Sequence, residues 1–233
     1  MRTQLTYSIE DYLKAIYDLC TTQGRASTNH LAEVLEITPA SVTGMLKKLA
    51  STEPPLVEYQ KHRGASLTPA GEKVALEIIR HHRLLEMFLH QILGYEWDEV
   101  HAEADRLEHV ISEDFEERIA AALGNPSHDP HGDPIPTREL TMPESSSTSL
   151  FDLQQPGQRA VISRVRDSDP NLLRYLSEHG LNPQAALRVL EYNPFDGNLR
   201  LAVEGQAGSI TLGAQITRQI FVEVREKINN QPA

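Results

Sequence analysis

The chain has 233 residues, a single cysteine (Cys20) and a formal net charge of −11. That length suits two domains and a smaller third, and one cysteine excludes an internal disulfide framework. No run of about eighteen apolar residues is present and residues 1–11 lack an apolar stretch behind a basic segment, so a cytoplasmic protein without membrane contact is expected.

The acidic total is unevenly distributed. Basic and acidic residues balance over residues 1–64, where Lys47, Lys48, Lys61, His62 and Arg63 cluster, whereas residues 96–117 hold ten acids against Arg106 alone. A locally basic end suits a polyanion and an acidic middle suits a cation.

Ile9, Leu13, Ile16, Tyr17 and Cys20 recur at helical spacing, which predicts a first helix with Ser8 placed to cap it and Gly24 to stop it. A short second helix follows the Ser27-Thr28 cap, with Leu31, Val34 and Leu35 apolar and Ala32 small enough for a close crossing. After the turn Glu36-Ile37, Thr38 and Pro39 open a third helix whose apolar face is Val42, Leu46 and Leu49. Two short helices with so tight a turn form a helix-turn-helix.

Residues 56–59 and 65–68 read as strands around Lys61-His62-Arg63-Gly64, a hairpin with a basic tip. An ordinary helical corner shows the same two-helix pattern but does not need a charged wing beside it, so the combination favours DNA reading. Thr38, Ser41 and Thr43 then become candidates for phosphate or base edges, and Lys47, Lys48, Lys61 and Arg63 for phosphate.

Long helices are expected over residues 69–93 and 97–123, with breaks at Gly94 and Gly124. Leu84, Leu85, Phe88, Leu89 and Ile92 cover more surface than one packing face needs, which predicts an oligomer interface. Proline, glycine and the run Ser145-Ser146-Ser147 mark residues 124–149 as a linker. Five short strands follow, over 160–162, 187–190, 199–203, 209–212 and 220–224, interrupted by a helix over 170–178, the pattern of a small barrel.

On the second long helix His101, Asp105, Glu108 and His109 are spaced by four, three and one, along one side, and His82 and Glu86 lie four apart on the helix before it. Carboxylates and imidazoles so arranged can hold a divalent ion. Any one pair also fits a solvated acidic face; six residues on two helices favour the metal. Ser8 and Asp11 have, in addition, the spacing of a capping box, which leaves a second role open for Asp11. His128 and His131 lie in a Pro/Gly loop and are expected to be solvent-exposed. Paired Glu-x-x-His motifs of a carboxylate-bridged metalloenzyme are missing, since Glu108 and His109 are adjacent, so no enzyme is expected.

Residues 8–13 (SIEDYL), 39–43 (PASVT), 67–71 (LTPAG), 82–86 (HRLLE), 105–109 (DRLEH) and 129–136 (DPHGDPIP) together resemble the diphtheria toxin repressor family of iron- and manganese-dependent regulators, over essentially the whole chain. The resemblance implies a homodimer that is mainly α. Its winged helix-turn-helix DNA-binding domain would span 1–72, a helical dimerisation and metal domain 73–124, and a linker 125–149. A small SH3-like barrel, similar to a ferrous-transport accessory protein, would span 150–233. It also implies a primary metal site at Asp11, Asp105, Glu108 and His109, and an ancillary site at His82, Glu86 and His101 with a barrel ligand near Asp167, Asp169 or Asn171.

Within that pattern the iron-responsive members carry Met and Cys where this chain has Asp11 and Asp105, and hard oxygen donors with one imidazole suit Mn²⁺ over softer metals, with Fe²⁺ or other divalent transition metals as alternatives. Lys14 stands where two-domain manganese regulators place a carboxylate. The expected function is a Mn²⁺-dependent repressor of metal-uptake and metal-homeostasis genes, binding double-stranded operator DNA with two half-sites. Mutual repulsion of Asp11, Asp105 and Glu108 would loosen the first helix until a cation joins them, which sets the spacing of the recognition helices. A winged-helix regulator sensing a small organic ligand is the alternative.

Overall fold

The computed structural model describes residues 5–144, 146–166 and 169–225. The chain divides into two compact units, one drawn from Met1–His82, Asp105–Glu117 and Pro136–Met142, the other from Arg83–Ala104, Arg118–Ile135 and Pro143–Ala233.

In the first unit, α1 (Tyr7–Gln23) starts two residues earlier than expected. Thr6 is its N-cap and makes no side-chain cap bond, and Ser8 lies inside the first turn. Asp11 therefore sits in the second turn, beyond the orphan N–H groups that a cap would satisfy. Ile9, Tyr12, Leu13, Ala15 and Ile16 form the buried face. Ser27 caps α2 (Thr28–Val34) by accepting from His30 N at 3.1 Å. The turn is closed by Ile37 N donating to Ala32 O at 3.0 Å, with Glu36 at φ 53°. Thr38 then caps α3 (Pro39–Ala50), accepting from Ser41 N at 3.2 Å, with proline in the first turn, where its missing N–H costs nothing. Val42, Leu46 and Leu49 are fully buried.

The wing pairs β1 (Val57–Gln60) with β2 (Gly64–Leu67), antiparallel, and Ala26 bridges to Ala65 on the far side of β2. That bridge explains Gly64: its φ is 82°, and a Cβ there would stand 2.4 Å from Ala26 O. α4 (Pro69–Gln91) follows as expected. The expected single helix over 97–123 is instead two, α5 (Val100–Leu107) and α6 (Glu113–Ala122). Ser112 is the physical reason: its hydroxyl accepts from Phe115 N at 3.2 Å, and Glu113, Asp114 and Glu116 crowd the new first turn, where acids are favoured.

The second unit contains an antiparallel sheet in the order β3-β8-β4-β5-β6-β7. Its strands are β3 (Thr148–Ser149), β4 (Arg159–Val165), β5 (Ala186–Tyr192), β6 (Leu199–Val203), β7 (Ile210–Leu212) and β8 (Ile220–Arg225). The described pairings include none between β3 and β7, and bulges interrupt β4 against β8 and β5 against β6. α7 (Pro170–Glu178) and the short α8 (Ala214–Thr217) complete it around a core that includes Trp97, Ile162, Leu173 and Leu201. The mainly α expectation thus describes the helical part of the chain, and the C-terminal part is a six-stranded β unit.

Of the apolar set on α4, Leu84, Leu85 and Leu89 are buried within the single chain, Phe88 is half-buried and Ile92 is exposed, joined by Leu93. The expected linker is fastened in part: Val165 N donates to His131 O at 2.9 Å, and Gly132 (φ 89°) passes so close to β4 that a Cβ would lie 1.9 Å from Ser163 O. His131, expected in solvent, is completely buried, while His128 is exposed.

Candidate metal centre and DNA-reading surface

In the first unit, α1 presents Glu10, Asp11 and Lys14 to the segment where α5 ends and to His82 on α4. His109 Nε2 lies 2.9 Å from Asp11 Oδ1 and 3.5 Å from Glu108 Oε1. Its Nδ1 lies 2.8 Å from Glu10 Oε2, and its ring stacks on Tyr7 with centroids 5.0 Å apart. Burial alone would lower the His109 pKa, but hydrogen bonds to Asp11 and Glu10 and the charge of Glu108 overcome it and leave it raised. Glu108 and His109 can face one point although adjacent because the helix has already ended at Leu107.

Glu108 is buried, and its two oxygens serve two groups. With Asp11 and His109 it offers donor atoms all within 4.8 Å of one another, and it does so again with His82 and Asp105. His82 Nδ1 lies 2.5 Å from Glu108 Oε2 and 3.3 Å from Asp105 Oδ1. Lys14 Nζ stands in this second group, 2.8 and 3.1 Å from the Glu108 oxygens, 3.2 Å from Asp105 Oδ1 and 3.1 Å from His82 Nδ1. Burial works against both charged forms; nevertheless His82 and Lys14 hold the Glu108 pKa below its usual value, and Glu108 and Asp105 hold that of Lys14 above its own. Asp105 and Glu108, expected to repel, are therefore bridged by the Lys14 ammonium.

Below this centre His81 Nδ1 donates to Glu108 O at 3.0 Å, and Glu116 binds Arg80 Nε at 2.5 Å. These contacts fix the backbone that carries Glu108.

Glu86 and His101 lie in the second unit, joined by Glu86 Oε1 and His101 Nδ1 at 3.1 Å. There the structure adds two residues that sequence reasoning left out: Glu86, Asp129 and His131 are all buried, with donor atoms within 4.8 Å of one another. His131 Nε2 donates to Trp97 O at 2.7 Å, which leaves Nδ1 facing Glu86 Oε2 at 3.6 Å. Asp129 Oδ1 accepts from His131 N and Asp133 N, at 2.8 and 2.9 Å, while Oδ2 has no hydrogen-bond partner and lies 3.7 Å from Arg83 Nε. Burial, then the charges of Glu86 and Asp133, push the Asp129 pKa well above the usual carboxylate range. Three acceptors so placed could hold a cation, with the Arg83 guanidinium standing beside them. The only signal in the sequence was Asp129-Pro130-His131-Gly132, whose proline and glycine read as surface loop.

Of the residues considered near the ancillary site, Asp167 lies outside the described residues. Asp169 caps α7, accepting from Asn171 N at 2.9 Å.

Between α3 and the wing a concavity of about 550 Å³ is lined by Thr28, Thr43, Lys47, Lys61, Arg63 and neighbouring groups. Thr38 and Ser41 stand outside it, their hydroxyls 3.0 Å apart at the start of α3, and Thr43 donates to Pro39 O at 2.9 Å. Lys48 is exposed on α3 and does not line it.

Three family descriptions cover the chain: the iron-dependent repressor N-terminal DNA-binding domain matches residues 4–65, the iron-dependent repressor metal-binding and dimerisation domain 68–137, and the FeoA domain 152–224. The iron-dependent repressor IdeR of Mycobacterium leprae is 33% identical over 231 residues, covering 94% of this chain and 98% of that protein. The chain belongs to the diphtheria toxin repressor family. Within this family, the transcriptional regulator MntR of Lysinibacillus sphaericus is 37% identical over 115 residues, 49% of this chain and 81% of that one. A solved manganese-dependent transcriptional repressor in complex with manganese superposes with a TM-score of 0.83 at 37% identity, covering 93% of this chain and all of that one. As a family member the chain is a metal-dependent transcriptional repressor with DNA-binding, dimerisation and FeoA parts; its relatives are repressors, not enzymes. Among the described residues, no helix is long and apolar enough to cross a membrane.

Proposed function

We propose that the chain is a cytoplasmic, homodimeric repressor whose corepressor is Mn²⁺, with Fe²⁺ the nearest competitor, and that it controls metal-uptake and metal-homeostasis genes. The observation that carries the choice of metal is the donor chemistry: Asp11, Asp105 and Glu108 supply oxygen, His109 one imidazole nitrogen, and no sulfur stands among them. Such a set is harder than one containing thiolate or thioether. Asp11, Glu108 and His109 already lie within 4.8 Å of one another, which fits one ion, with Asp105 beside them. A bound divalent cation supplies the positive charge that lets these carboxylates share one locus.

The mechanism rests on which elements carry the ligands. Asp11 belongs to α1, packed in the reading domain through Leu13 and Ile16, whereas Glu108 and His109 belong to the segment after α5. Fixing Asp11 to that segment fixes α1, and with it α3 and the wing; in a two-fold dimer this sets the separation of two recognition helices against two operator half-sites. Asp11, Glu108 and His109 would hold the ion more tightly in the DNA-competent arrangement than in others, and that difference would couple metal to DNA binding. Glu86 and His101, with Asp129 and His131, are proposed as the second centre, and His82 is assigned to the first beside Asp105 and Glu108. Thr38, Ser41 and Thr43 are proposed to meet phosphate or base edges, and Lys47, Lys48, Lys61 and Arg63 phosphate. The C-terminal sheet is proposed to be an SH3-like barrel, with domain limits near residues 72, 124 and 149.

Binding of the full chain to its own promoter region, measured with EDTA, then with Mn²⁺ or anaerobic Fe²⁺, tests this reading. Binding that appears with Mn²⁺ at lower concentration than Fe²⁺ is the expected result. Binding unaffected by EDTA would overturn it.

A further inference from the structure

We propose that the C-terminal sheet carries a site for a compact, multiply charged oxyanion of the phosphate class, built from Arg159, Arg188 and Arg225. The site lies within the second unit, and none of the three is among the residues assigned to metal or to DNA. In the register of the sheet Arg159 on β4 stands directly opposite Arg188 on β5 and, on its other side, directly opposite Arg225 on β8. Residues so paired have Cβ atoms about 4.5–5.5 Å apart, and like charges placed there destabilise a sheet. Ala160, Leu187 and Val189, their neighbours along the strands, are buried in the core, so the three arginines share the outer, exposed face.

Among the described residues none of the three has an ion pair or a side-chain hydrogen bond, whereas Arg200 on β6 pairs with Glu191 at 3.0 Å. Three uncompensated cations in register, in a chain of net charge −11, are a local cost that a bound anion would remove. They line a concavity of about 320 Å³ with Ala186, Ala202 and Glu204. Ala202 stands opposite Arg188, and its short side chain leaves room beside the guanidinium. Guanidinium forks match phosphate oxygens with paired N–H donors, and three of them on adjacent strands can surround one such group.

The charges around the row select a compact ligand over an extended one. Two residues along β8, Glu223 stands opposite Val161, and beyond β6 Glu204 N donates to Ala186 O at 2.8 Å. Carboxylates therefore stand at both ends of the neighbouring row and confine the positive potential to the arginines. A nucleic-acid backbone or a long acidic peptide laid along the strands would meet these acids. Orthophosphate or diphosphate fits between them.

The test uses the full-length chain freed of metal, because diphosphate itself chelates Mn²⁺. Wild type, Arg159→Gln, Arg188→Gln and Arg200→Gln, each checked for folding by circular dichroism, are titrated calorimetrically with diphosphate, orthophosphate and citrate. Diphosphate should bind the wild type at one site per chain, more tightly than the other two anions. Loss of one charge-assisted contact should weaken it about tenfold or more in Arg159→Gln and Arg188→Gln. Arg200→Gln, which loses an arginine that is already paired, should bind as wild type does. Arg188→Gln keeps the test open if Arg159→Gln does not fold. No binding by the wild type, undiminished binding by folded Arg159→Gln and Arg188→Gln, an equal loss in Arg200→Gln, or citrate binding as tightly as diphosphate would overturn the proposal. A poly-glutamate peptide or a DNA duplex that binds through Arg159 more tightly than diphosphate does would overturn it too, by marking the face as a docking surface for a macromolecule.

Discussion

Glu10 Oε2 accepts a hydrogen bond from His109 Nδ1 at 2.8 Å, on the opposite side of the imidazole from the nitrogen that faces Asp11. The contact fixes the ring orientation, so that Nε2, now 2.9 Å from Asp11 Oδ1, would face a metal once its proton is displaced. Groups holding a metal-binding histidine in this way are typically worth 10–100-fold in affinity. Glu10→Gln keeps the shape but loses the charge, and should weaken Mn²⁺ binding by about 10-fold within that range. Calorimetric titration with unchanged far-ultraviolet dichroism checks this; unaltered affinity would mean that Glu10 only packs.

Asp11 and Asp105 are predicted to set the metal preference. Changing them to Met and Cys replaces two hard oxygens by a thioether and a thiolate, which favour softer metals. Mn²⁺ should lose its advantage as corepressor while Fe²⁺, Co²⁺ or Ni²⁺ retain or gain activity. Asp105→Cys alone should give part of the shift, and Asp105→Ala should impair the response to every metal. Anaerobic DNA-binding titrations of the four proteins decide it, and a double variant that still prefers Mn²⁺ would place the selection elsewhere.

Arg63 stands exposed at the tip of the wing, on the rim of the concavity beside α3. Arg63→Ala should weaken binding to all duplexes alike and reduce the slope of log affinity against log salt by about 1, the loss of one phosphate contact. Fluorescence anisotropy at several salt concentrations measures the slope. A change confined to one base position would show that the wing reads sequence.

Gly132→Ala should strike the second unit and spare the first. At φ 89° the added Cβ would stand 1.9 Å from Ser163 O, backbone that cannot yield cheaply, and the residue before it is His131. A loss on the order of 1–3 kcal/mol is expected from strain of this kind. Metal titration should then show weaker binding at the Glu86 cluster, with Asp11, Glu108 and His109 unaffected. A melting temperature equal to wild type would mean that the loop is not held as described.

Periodicity and capping chemistry were enough to place α2, α3, the wing and five strands of the sheet, because each is a local consequence of the chain: Thr38-Pro39 opens a helix whatever lies around it. The same local rules misplaced two boundaries where several capping residues competed. Ser8 looked like the cap of α1, although Thr6 holds that position, and the apolar pair Val110-Ile111 hid the break that Ser112 makes. Asp105, Glu108 and His109 could be read as candidate donors from residue type and spacing, whereas Asp11 joined them only through the family resemblance.

Their partners could not be read, because a side chain's environment is made by segments far apart in the chain. Lys14 meets Asp105 and Glu108 across 91 and 94 residues, and Glu10 meets His109 across 99. His131 is the clearest case. Local composition assigns a histidine between proline and glycine to solvent, where its hydrogen bonds would be made to water. The fold instead provides the Trp97 carbonyl, which accepts from one ring nitrogen at 2.7 Å, and the Trp97 ring, which stacks on the imidazole with centroids 5.7 Å apart. Residue type alone determined which chemistry this protein could perform; only tertiary structure decided which of those groups face one another, because burial and charge pairing are properties of neighbours in space.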